Sequence, residues 1–155
     1  MAAVRSAGIL LYGRHPQLQV LIAHMGGPFW ERKDEAAWSI PKGLVEETDV
    51  EGELVAASRE FAEELGAPPP SAEYVLLGEF RQPSGKTIVV FAAEADFPVD
   101  AITSNTFALE WPPRSGLFQQ FPEIDDARWV DVDVARTKLV KGQRPILDAL
   151  VDLLE

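Results

Sequence analysis

The chain contains no cysteine in 155 residues. That absence excludes disulfides, thiolate metal sites and a cysteine nucleophile. No run of about 18 apolar residues occurs, so a membrane-spanning helix is not expected. The apolar stretch Ala7–Tyr12 near the N-terminus is too short to span. It also lacks the basic start, longer apolar region and small-residue cleavage site of a signal peptide. A soluble, cytoplasmic protein without a membrane partner is the expectation. Histidine is scarce: His15 and His24 both lie near the N-terminal strands and do not suggest a histidine metal site. Basic residues are outnumbered, with 14 Lys and Arg against 25 Asp and Glu, a net charge of −11. A nucleic-acid-binding surface needs clustered cations, so a nucleic-acid partner is not expected. No Ser-His-Asp order and no Gly-rich nucleotide loop is evident. Nor is there an internal repeat, a low-complexity segment or a domain-splitting linker.

What remains is a chain of 46% hydrophobic composition that fits one globular domain, 1–155, with a core of ordinary size. Residues 5–13 and 18–25 read as strands joined by a turn around His15 and Pro16. Residues 26–37 read as a loop opened by Gly26, Gly27 and Pro28, and Trp38–Ile40 as a short strand leading into Pro41-Lys42-Gly43. A helix is predicted over 52–65, ended by Gly66 and barred from continuing by Pro68, Pro69 and Pro70. Strands are predicted at Tyr74–Arg81 and Thr87–Ala95, and 98–122 reads as irregular, a length of loop more often functional than idle. Arg128–Asp131 reads as a strand, followed by helices near 132–139 and from Pro145 to Leu154. The pattern is a mixed sheet with helices packed against it.

The densest patterning runs from Gly43 to Ala67, GLVEETDVEGELVAASREFAEELGA. At about 100° per residue, Glu60, Glu63 and Glu64 share an arc of roughly 100° on the helix. Leu54, Ser58, Phe61 and Leu65 form a neighbouring stripe suited to burial. Like charges at these spacings each cost roughly a few tenths of a kcal/mol, and anions in the last turn oppose the helix dipole. A helix that accepts both penalties is expected to hold a cation. Arg59 precedes Glu63 by four residues and can pair with it. Glu60 and Glu64 are then left facing outward together as oxygen donors of the kind Mg2+ prefers. Gly43 sits at a turn where glycine lets the backbone carbonyl approach a ligand. A cation held here would neutralise a pyrophosphate, and the reaction class is water attack on the phosphorus of a phosphoanhydride.

Gly43, Glu51, Arg59-Glu60-Phe61, Glu63-Glu64 and Gly66 resemble the signature of the Nudix hydrolases: Gly, a spacer, Glu, seven residues, then Arg-Glu-apolar-x-Glu-Glu-x-Gly-apolar. Weaker likeness extends to the early strand, to Trp38–Gly43, and to Pro122-Glu123-Ile124 leading into Arg128-Trp129-Val130. The spacer departs from the pattern, with seven residues between Gly43 and Glu51 where the family has five. Ala67 stands at the final apolar position. The resemblance implies a Nudix-type α/β/α sandwich with a mixed central sheet, using Mg2+, or Mn2+ in its place. It implies metal ligation by Glu60 and Glu64, with Glu63 near the metal or braced by Arg59, and a contribution from the Gly43 carbonyl. Glu51 would steady the loop at the helix start or support a metal ligand from behind. Glu123 is the candidate for a distal base or extra ligand.

Pro41-Lys42-Gly43 resembles the branch of the family acting on dinucleoside polyphosphates, and also those acting on inositol pyrophosphates. The latter would need a dense basic pocket, which the charge of −11 disfavours. The expected partner is a small phosphorylated nucleotide, first a dinucleoside polyphosphate, with a nucleoside triphosphate or nucleotide sugar as the alternative. A non-catalytic regulatory domain is the rival from another class. Lys42, Arg81, Lys86 and Arg114 are the candidate phosphate contacts. Trp30, Phe29 and Trp111 lie in predicted loops where they can stack on a base, whereas Trp38 and Trp129 read as core. Ser104–Gly116 mixes polar, aromatic and basic groups as a recognition loop would. Nothing in the sequence speaks to oligomeric state.

Overall fold

The computed structural model describes residues 4–14, 16–46 and 52–155. Its centre is strand β1, Arg5–Gly13, whose buried residues come from both faces of the pleat. A strand whose neighbours on both sides are apolar must be covered twice, and this one is. Ala7, Ile9 and Leu11 join Ala57, Phe61 and Leu65 of helix α1, Glu53–Leu65, in one core. Leu10 and Tyr12 join Val132 and Ala135 of α2, Val132–Lys138, and Ile146, Leu147 and Leu150 of α3, Arg144–Leu154, in the other. The result is helix, sheet, helix in three layers.

On one edge β1 pairs in parallel with β6, Thr87–Glu94, which pairs antiparallel with β5, Val75–Arg81. On the other edge β1 divides its partners. Tyr12 and Gly13 pair with β2, Gln19–Met25, while Ser6, Ala7 and Gly8 pair with the short strand β4, Lys42–Leu44. Strand β2 carries β3, Trp38–Ser39, and β9, Ile124–Asp131. The mixed sheet expected from sequence is therefore present, and it has seven strands among the described residues. His15, placed in the first turn by the sequence reading, lies outside the described residues.

One expectation is overturned. Residues 98–122 are not irregular throughout: Thr106–Glu110 and Phe118–Pro122 form a separate antiparallel hairpin, β7 and β8. Its strands alternate weakly between exposed and half-buried positions, so they leave little hydrophobic periodicity to read. No helix among the described residues is long and apolar enough to cross a membrane.

Candidate active site

Helix α1 ends as its sequence requires. Gly66 adopts a φ of 83°, and its N–H caps the Ala62 carbonyl at 2.8 Å. The next carbonyls are satisfied from outside the helix. Thr103 N–H donates to Leu65 at 3.3 Å and Asn105 N–H to Glu63 at 2.8 Å. The Asn105 carbonyl then accepts the Glu123 N–H at 3.0 Å, and the Glu123 carbonyl accepts the Gly26 N–H at 2.8 Å. This backbone relay ties Glu123, immediately before β9, to the acidic end of α1 although the two are far apart in sequence.

The other wall is β4. The Lys42 N–H donates to Glu64 Oε1 at 3.2 Å. A Cβ built on Gly43 would lie 2.0 Å from the Glu60 carboxylate, so only glycine admits that side chain against the strand. Arg59 donates to the Leu44 carbonyl at 3.0 Å and to Glu60 Oε1 at 3.2 Å, with Glu63 Oε1 at 3.8 Å. The expected Arg59–Glu63 pair is thus present but long, and Arg59 also clamps the helix to β4.

Glu64 corrects the sequence reading. It does not face outward with Glu60 but is only 6% exposed. The spacing Ala57, Phe61, Glu64 follows the buried stripe of the helix, which explains its direction. Burial is the main reason its carboxyl is pushed up to about 8; the charges of Glu123 and Glu60 add, while Lys42 opposes. Burial also raises Glu60, reinforced by Glu63, Glu123 and Glu46 and opposed by Arg59. Glu123 is raised by burial and by Glu63, against Lys42. The five carboxylates Glu46, Glu60, Glu63, Glu64 and Glu123 are therefore joined by mutual repulsion. Glu51 falls outside the described residues, and the first carboxylate of α1, Glu53, pairs instead with Arg5 at 2.8 Å.

Among the described residues, no three acidic or histidine side chains are drawn tightly enough together to hold a metal ion unaided. A hard divalent cation held by one or two carboxylates, with waters and substrate phosphates completing its shell, does not require such a cluster. Every donor on offer is oxygen, Gly43 leaves room for the Glu60 carboxylate against β4, and the carboxyls raised by burial and by their neighbours' charge are those a cation would relieve.

A cavity of about 700 Å3 opens beside Lys42 and Gly43. Of the candidate substrate contacts, Trp30, Lys42 and Lys86 line it; Arg81 and Arg114 do not. Arg81 is exposed at the end of β5, and Arg114, with a φ of 63°, stands at the turn of the β7–β8 hairpin. Phe29 is 61% exposed and packs edge-on to Trp30 at 4.8 Å. Trp111 instead borders a smaller cavity of about 330 Å3 with Phe121 and Pro122. Trp38 is buried, and Trp129 packs against the α1-side core, so both are structural as expected. Sequence reasoning missed Lys141, Gln82 and Gln143, which complete the larger cavity. No periodicity marks them; only the approach of residues 141–143 to the β5–β6 turn brings them there.

The NUDIX domain profile matches residues 3–150. No significant match to a curated protein was found. Among solved structures, a C. elegans Ap4A hydrolase in a binary complex superposes with a TM-score of 0.67 at 19% identity, covering 98% of each chain. The NUDIX domain of Shewanella oneidensis NrtR complexed with ADP ribose gives 0.64 at 21% identity, covering 100% of this chain and 90% of that one. NrtR from the same organism complexed with a 27mer DNA gives 0.59 at 20%, covering 96% and 61%. At these identities the structures speak for the fold, and the profile, spanning nearly the whole chain, speaks for the family. With the carboxylates of α1 set against Gly43, the chain belongs to the Nudix family of pyrophosphohydrolases.

Proposed function

We propose that the protein hydrolyses, with Mg2+ or Mn2+, a phosphoanhydride in a nucleoside diphosphate linked to another group, first a dinucleoside polyphosphate. The observation that carries this reading is a juxtaposition. Mutually repelling carboxylates on α1 and at Glu123 meet, at Lys42 and Gly43, a cavity large enough for a nucleotide and lined by lysines. The cation, when bound, neutralises the pyrophosphate and polarises its phosphorus. Glu60 and Glu64, with Glu63 and the Gly43 carbonyl, are the groups that would hold it. Arg59 keeps Glu60 and β4 in register for that purpose.

In the reaction, the oxygen of water bonds to phosphorus as the bridging P–O bond breaks. The water proton passes to a carboxylate, and the departing phosphate carries away the electron pair. Glu123 is the candidate acceptor, because its raised affinity for a proton suits a base and its position is held by Asn105 and Gly26. Lys42 would steady the substrate phosphate, and Trp30 offers an aromatic wall for a base. The chain is read as a single domain acting in the cytoplasm on small nucleotides, not on nucleic acid.

The test is an assay of dinucleoside polyphosphates, nucleoside triphosphates and nucleotide sugars with Mg2+, with products identified by mass. Hydrolysis in 18O-labelled water identifies the phosphorus attacked. Turnover that is unaffected by chelation would sink the metal-dependent reading.

A further inference from the structure

We propose that Lys86 and Lys141 form a second anion subsite, which holds a substrate phosphate beyond the anhydride being cleaved. The inference rests on the phosphoanhydride-hydrolase reading and narrows it: the preferred substrate carries a phosphate chain longer than a diphosphate.

The charge distribution argues first. The chain has 25 Asp and Glu against 14 Lys and Arg, yet among the described residues no Asp or Glu lines the larger cavity, which instead collects Lys42, Lys86 and Lys141. Most other cations are spoken for: Arg5, Arg14, Arg59, Arg128, Arg136 and Lys138 each pair with a carboxylate. Among the described residues, neither Lys86 nor Lys141 makes an ion pair. In so acidic a protein, lysines without an ion pair that share a cavity lined by no described carboxylate mark a place of positive potential.

The lysines are also placed by construction. Lys141 opens a short 3-10 helix, Lys141–Gln143, that is fastened on two sides. On one side, Gln82 Nε2 donates to the Gly142 carbonyl at 2.9 Å. A Cβ on Gly142 would meet Gln82 Oε1 at 2.5 Å and Pro83 Cδ at 2.8 Å, so the close approach needs glycine. On the other side, Gln143 is buried, accepting the Ile40 N–H at 2.9 Å and donating to Ser39 Oγ at 2.8 Å. The turn carrying Lys86 is closed by the Gln82 N–H to the Lys86 carbonyl at 2.7 Å. Gln82 thus ties the Lys86 carbonyl to Gly142, the residue after Lys141, and Gln143 ties the same short helix to Ile40, two residues before Lys42. A neutral sugar has no use for two unpaired ammonium groups, whereas the point charges of a polyphosphate chain do.

The experiment compares wild type with Lys86→Gln, Lys141→Gln and the double variant, using Arg136→Gln, outside the cavity lining, as the control for net charge. Binding of inorganic tripolyphosphate to metal-free protein is measured by calorimetry. The kcat/KM values for a dinucleoside tetraphosphate and a dinucleoside diphosphate, differing only in chain length, are measured alongside. The double variant should weaken tripolyphosphate about tenfold and reduce the preference for the longer substrate about tenfold, through KM. Arg136→Gln should change neither. Tripolyphosphate affinity held within about twofold in the double variant, or an equal proportional loss on both substrates, overturns the subsite. Lysine-dependent tripolyphosphate binding without hydrolysis of either substrate would leave the subsite standing and remove the hydrolase reading.

Discussion

Gly43 and Glu60 occupy the same small volume: a methyl group on the glycine would stand 2.0 Å from the glutamate carboxylate. The clash is with a side chain held by Arg59, whose guanidinium also grips the Leu44 carbonyl. Strand and helix are therefore fitted to one another through a carboxylate, and not only through apolar packing.

Gly43→Ala should consequently displace Glu60 while leaving the cores intact. The expected outcome is a loss of metal-dependent turnover of about tenfold or more, equivalent to at least about 1.4 kcal/mol. Thermal unfolding should shift little, because neither core contains Gly43. A variant with wild-type kinetics would show that the contact does not matter to the site.

Glu64 supplies a pH prediction. Its folded carboxyl is raised to about 8, so the folded state keeps a proton that the unfolded chain loses near the ordinary glutamate value of 4.5. The Glu64 contribution to stability without metal is then fully present below 4.5 and is lost as pH rises towards 8. Denaturant unfolding in a chelator should show this slope, and Mg2+ should flatten it by favouring the ionised form. Glu64→Gln should flatten it too, while abolishing metal-dependent turnover with the fold retained.

If Glu123 accepts the water proton, Glu123→Gln should lower kcat by about 100-fold or more with a smaller change in KM. The wild-type pH–rate profile should rise through a carboxyl above the normal glutamate range, the direction in which burial and Glu63 move it. That acidic limb should disappear in the variant. Persistence of the limb would assign the base elsewhere.

Gln143→Leu leaves the Ile40 N–H without its buried acceptor and removes the donor to Ser39. The expected cost is about 1–3 kcal/mol in denaturant unfolding. By comparison, Phe61→Ala, which empties the centre of the α1 core beside Phe97, should cost about 3–5 kcal/mol.

Local sequence was a good guide wherever the cause was local. Gly66 ends α1 because a left-handed residue is needed there, and the apolar spacing of Ile146, Leu147 and Leu150 defines the buried face of α3. The spacing of Arg59, Glu60, Glu63 and Glu64 identified the acidic helix end and its family. The direction of Glu64 was also available in the interval from Ala57 through Phe61, but its charge argued for solvent and the periodicity was the better witness.

Other features had no local cause. Glu123 is tied to α1 because Asn105 bonds to both segments, and Lys141 shares a cavity with Lys86 because Gln82 and Gly142 let two turns touch. The amino-acid order by itself determined most of the elements (the β7–β8 hairpin excepted), the acidic chemistry and the family, since these depend on residues a few positions apart. Tertiary structure alone decided which lysines share a cavity, that Arg81 and Arg114 stand outside it, and which carboxylate is buried. Those outcomes depend on backbone hydrogen bonds and steric fit between segments distant in sequence, whose energies leave no periodic trace in either segment.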